Sequence, residues 1–77
     1  MTIDETQALA KNLIQTGKIL KREILIGYEP ENYFSSRLYP HCIYLVSRDN
    51  QLFWIHQINN TFTSIYDINA EKEVTAL

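Results

Sequence analysis

Four side chains in the second half of this sequence could act as nucleophile, base or metal ligand: His41, Cys42, His56 and Asp67. A catalytic thiolate needs a base within hydrogen-bond reach. His41 and Cys42 are adjacent, and neighbours on a strand point to opposite faces. Pairing the strands through their turns places His56 with Ile43 and Thr63, again away from Cys42. A closed zinc site needs four donors converging on one point, and this register scatters the four over both faces. The expectation is therefore no catalytic residue, no metal and no cofactor. Cys42 reads as structural, and His56 as a half-buried sheet residue bonded to Thr63 or water. Glu5, Glu23, Glu29 and Glu31 have no fixed partner that would set up paired acid–base chemistry, so they read as solvated carboxylates.

Lys18, Lys21 and Arg22 form the one basic cluster. Joined by Arg37 and the tyrosines, they could hold single-stranded nucleic acid, with phosphates on the cations and bases stacked on aromatic rings. No glycine-rich phosphate loop accompanies them. The aromatic share of 12% also suits a protein interface, where Tyr and Trp bury area while keeping a polar handle.

These side chains are carried by a chain of 77 residues, read as one domain over 1–77. A domain of this size has a small core and modest stability. With one cysteine, no intrachain disulfide is possible, and a lone thiol fits a reducing compartment. Net charge −2 mildly disfavours binding nucleic acid through a global basic field. The first residues carry acid where a signal peptide has basic residues. No run approaches the length needed to span a membrane. The default location is cytoplasmic, with no membrane insertion.

Thr2 or Asp4 can cap a first helix, with Asp4 and Glu5 placing negative charge at its N-terminus. Ala8, Leu9, Leu13 and Ile14 fall at helical spacing, which predicts helix over 5–16 and a C-cap at Gly17. Residues 18–28 admit two readings. Leu20 and Ile24 extend the helical spacing past Gly17, while Ile24, Leu25 and Ile26 suit a buried strand. Pro30 ends either element, and 29–40 reads as an apolar loop closed by Pro40. Residues 41–48, 51–58 and 61–68 are three equal segments rich in β-branched and aromatic residues. Asp49-Asn50 and Asn59-Asn60 separate them, and Asn and Asp tolerate the positive φ of two-residue hairpin turns. The tail 69–77 is more polar and admits three readings: a flexible end, a short helix or an edge element.

The predicted fold class is α+β: an N-terminal helix packed on a three- to four-stranded antiparallel meander sheet. Two-residue turns fix the pairing: Val46 with Phe53, Tyr44 with Ile55, Ile55 with Ser64, and Phe53 with Tyr66. One face then carries Cys42, Tyr44, Val46, Phe53, Ile55, Phe62, Tyr66 and Ile68. The other carries Ile43, Leu45, Leu52, Trp54, Ile58 and Ile65. Both faces are apolar, and one short helix covers only one of them. The second must curl toward a small barrel, be covered by the Tyr33–Tyr39 segment, or meet a second copy or a foreign protein. The expected function is thus a small non-enzymatic protein-binding or regulatory module, an adaptor, assembly factor or inhibitor, with a protein partner or a homodimer. Its expected contact residues are Tyr44, Phe53, Ile55, Phe62 and Tyr66. The alternative is a single-strand nucleic-acid binder using Lys18, Lys21, Arg22 and Arg37.

Overall fold

Thr2 starts the first helix through a reciprocal cap. Its hydroxyl accepts from Glu5 N at 3.1 Å, and its own N–H donates to Glu5 Oε1 at 3.0 Å. Two of the amides left free at a helix start are satisfied this way. Helix α1 runs Ile3–Thr16 and ends at Gly17, whose N–H donates to Leu13 O at 2.9 Å. In the computed structural model, which describes residues 1–28 and 38–75, five strands follow: β1 Lys18–Tyr28, β2 Leu38–Arg48, β3 Gln51–Ile58, β4 Thr61–Asp67 and β5 Lys72–Glu73.

Residues 18–28 are therefore strand, and Gly17 is the junction. Pro40 lies inside β2 and does not close a loop. Leu38 and Tyr39 are in β2 as well, and residues 29–37, with Tyr33, Phe34 and Arg37, lie outside the described residues. Asp49, Asn50, Asn59 and Asn60 all have φ between 50° and 66°. Both hairpins thus close with two left-handed residues, whose twist matches that of the flanking strands.

The strands lie in sequence order, β1-β2-β3-β4-β5, every pair antiparallel. This corrects the expected three- to four-stranded sheet curling toward a barrel. There are five strands, and the sheet is open, with β1 and β5 as its two edges. Closure would require those edges to pair along their length, and β5 has two residues. The fifth strand comes from the polar tail. Ile68 N donates to Leu52 O at 2.9 Å, Glu71 takes φ 53°, and Val74 N donates to Ile65 O at 2.8 Å. The tail's return along β4 is held by these backbone bonds and by Val74 against the core.

Helix α1 lies across one face. Ala10 and Leu13 are buried with Val46, Phe53, Ile55, Phe62 and Ile65, and Leu9, Ile14, Tyr44 and Val74 pack around them. Positions 9, 10, 13 and 14 form the apolar stripe of a 3.6-residue period, with Thr6 buried in line with them. Arg48 secures the far end of the helix, donating to Asn12 Oδ1 at 2.6 Å and to Thr16 Oγ1 at 3.2 Å. Among the described residues α1 is the one helix, and it lies on this first face.

Candidate functional site

The β3–β4 hairpin decides which side chains face outward. Its turn is the expected one, and Ile58 pairs with Thr61 and Gln57 with Phe62. The ladder then slips: His56 pairs with Ser64, Ile55 with Ile65, Trp54 with Tyr66 and Phe53 with Asp67. Thr63 is the extra residue of a β-bulge, its hydroxyl donating to His56 O at 3.2 Å. The expected pairings of Ile55 with Ser64 and Phe53 with Tyr66 are corrected by one residue. A one-residue slip exchanges faces, so Ile65 turns into the core and Tyr66 turns out.

The expected contact group divides accordingly. Phe53, Ile55 and Phe62 are 7%, 0% and 8% exposed beneath α1, and they offer no surface while the chain is folded. Tyr44 is half-buried on the same side, its ring 6.4 Å from that of Phe62. Burial pushes the Tyr44 hydroxyl pKa up. Tyr66, 39% exposed, stands on the opposite face beside Trp54, which is 37% exposed.

That outer face is built in rows by the strand registers. One row reads Lys21, Leu45, Trp54, Tyr66, Glu73, and the next Glu23, Ile43, His56, Ser64. Further rows place His41 beside Ile58, and Ser47 beside Leu52. A shallow hollow of about 300 Å³ is lined by Ile43, Trp54, His56, Ser64 and Tyr66. On the neighbouring strand β1 of the same face, Lys21 Nζ is 3.5 Å from Glu23 Oε2. The signal for this face was present in the sequence. Phe62 and Ile65 are three apart, not two, which is how an apolar strand face reads across a bulge.

His41 and His56 meet on this face. Ile43 pairs with His56 and Ile58 with His41, so the imidazoles are diagonal neighbours. Their rings approach to 3.1 Å between His41 Nδ1 and His56 Nε2. Desolvation, then the charge of His41, lowers the His56 pKa. The sequence reading placed both on Ile43's face but left them unconnected, because it compared directly opposed pairs and not diagonals. Cys42, next to His41 in the chain, is buried and on the other face by strand alternation.

The basic cluster is split by strand alternation. A bulge between Ile19 and Lys21 puts Lys18 and Lys21 on the outer face, opposite Ser47 and Leu45. Arg22 pairs with Tyr44 on the helix side, its guanidinium 5.8 Å from the Tyr44 ring centroid. Hydrogen bonding to Cys42 and then to Tyr44 raises its already high pKa. Arg37 lies outside the described residues. Among the described residues no three His, Cys, Asp or Glu side chains converge, and no helix is long and apolar enough to cross a membrane.

No protein-family model, curated protein or solved structure matches the chain. Functional argument therefore rests on the geometry of the outer face.

Proposed function

We propose that this chain is a non-catalytic protein-binding module that docks through the outer face of its sheet, and that the docked surface is the same face of a second copy. The observation that supports this is the row of half-buried Leu45 with exposed Trp54 and Tyr66, on the sheet face opposite α1, the one helix among the described residues. Apolar sheet surface of this kind is favoured to pack against another sheet about 10 Å away.

The pattern of the face suits self-association. A two-fold axis lying across the strands, between the Trp54 row and the His56 row, would set Lys21 over Glu23 of the second copy. It would set Leu45 over Ile43 and Trp54 over His56. Each contact occurs twice, as an isologous interface requires, and opposite charges meet at the rim.

Sedimentation over a concentration series tests the proposal. The expected result is a monomer–dimer equilibrium, with Trp54 fluorescence shifting to the blue as dimer forms. Trp54→Lys and Tyr66→Lys each shift the equilibrium to monomer with unchanged circular dichroism. A chain that stays monomeric at every concentration, with a solvent-exposed Trp54 spectrum throughout, overturns self-association.

A further inference from the structure

Two imidazoles on neighbouring strands rarely need each other, because either can bond to water. Here they approach to 3.1 Å with ring centroids 5.2 Å apart and ring planes inclined by 39°. Both rings are half-buried, and both backbones are fixed by the β2–β3 ladder. Two nitrogens bound to one metal at about 2.0–2.1 Å stand ~2.9 Å apart at right angles and ~3.3 Å apart in a tetrahedron. The observed separation falls between these values, so the nitrogens need no change of spacing, and turning each ring by about 35–45° off the line that joins them aims both lone pairs at one point.

We propose that His41 and His56 form a two-histidine binding site for a divalent transition ion of the zinc, nickel or copper(II) class. Imidazole ligands suit these ions and do not suit magnesium or calcium, which take oxygen donors. The remaining coordination positions point away from the sheet and are filled by water. Glu23 is in the adjacent row of the same face, but its carboxylate is 3.5 Å from Lys21 Nζ. Ser64, beside His56, is the nearest polar neighbour from β4 by register. The site thus has two protein donors and open positions. In the metal-free pair the N–H of one neutral ring donates a hydrogen bond to the bare nitrogen of the other. Metal binding moves that proton to the ring's second nitrogen, with no net proton release above the imidazole pKa. The site needs only the folded single chain, and because the proposed dimer sets Trp54 of the second copy over His56, metal binding competes with docking.

The test is titration of the full chain with zinc alone, then nickel alone, at about pH 7.5, followed by NMR of the imidazole nitrogens. The expected result is one ion per chain, with the His41 and His56 signals moving together. His41→Gln and His56→Gln each weaken binding at least about tenfold, because the second imidazole binds intramolecularly. Lowering the pH to about 5 weakens it further, since protons compete for the ligand nitrogens. If a variant fails to fold, the wild-type ring signals still decide the matter. Ring signals that stay still up to about millimolar metal overturn the site, as does a native state that metal does not stabilise against heat. Binding that persists undiminished in the folded double variant also overturns it, and assigns the ion to other donors.

Discussion

The side-chain amide of Gln7 completes both hydrogen bonds of the Phe62 peptide group: Nε2 donates to Phe62 O at 2.6 Å, and Oε1 accepts from Phe62 N at 2.8 Å. The need arises because β5 pairs with β4 only at Tyr66 and Asp67. At Phe62 the edge of β4 has no strand beside it, and a glutamine from the helix supplies what a strand would. The same contact holds α1 over the core at the level of Phe62. Gln7→Ala leaves two part-buried backbone groups unpaired, and a loss of about 1–3 kcal/mol is expected in urea unfolding. Gln7→Glu is expected to be no better, because a carboxylate cannot donate to Phe62 O. An unchanged urea midpoint in both variants would show that water replaces the amide freely.

The bulge at Thr63 makes opposite forecasts for adjacent residues. Ile65 is fully buried and Tyr66 is exposed. Ile65→Ala is expected to cost about 2–5 kcal/mol by leaving a core cavity. Tyr66→Ala should cost much less in the stability of the single chain, since it loses surface packing beside Trp54. An unslipped hairpin would reverse the order, so the two unfolding curves test the register directly.

His56 should make the fold sensitive to mild acid. Its folded pKa is lowered, first by desolvation and then by the charge of His41. The unfolded chain therefore binds the proton more tightly. Stability is at its full value above the ordinary imidazole pKa of about 6.5, and falls as pH drops through that value toward the folded one. Urea midpoints measured at about pH 7.5 and about pH 5.5 should differ in the wild type, and differ less in His56→Gln. Equal pH dependence in the two proteins would remove His56 as the cause.

Gly17 is required for room and not for its backbone angle, since its φ of −93° is open to any residue. A Cβ there would meet Val46 Cγ1 at 2.6 Å, Leu13 O at 2.7 Å and Ser47 O at 2.9 Å. Two of the three are backbone atoms, which cannot swing aside. Gly17→Ala is expected to destabilise by about 1–3 kcal/mol, the usual cost of overpacking. Calorimetry would show it as a lowered Tm, and a gain in Tm would mean that α1 can move away from β2.

By itself the sequence determined the elements that depend on neighbours along the chain. Thr2 or Asp4 can start the helix, Leu9, Leu13 and Ile14 mark its inward side, and two Asx pairs close the hairpins, whereas the structure leaves Ala8 exposed and buries Thr6. It also set the expectation that the apolar surface exceeds what one helix covers. Tertiary structure decided what depends on strands meeting. Residues 18–28 carry both helical and strand patterns, and only the free edge of β2 selects the strand. Ser64 would face Ile55 in an unslipped hairpin, and burying Ile65 in its place is what drives the slip at Thr63. The polar Lys72–Glu73 pair becomes a strand because β4 offers an unpaired edge and Val74 a place in the core. The outer face and its histidine pair follow from these registers, because a single-residue shift moves every later side chain to the other side of the sheet.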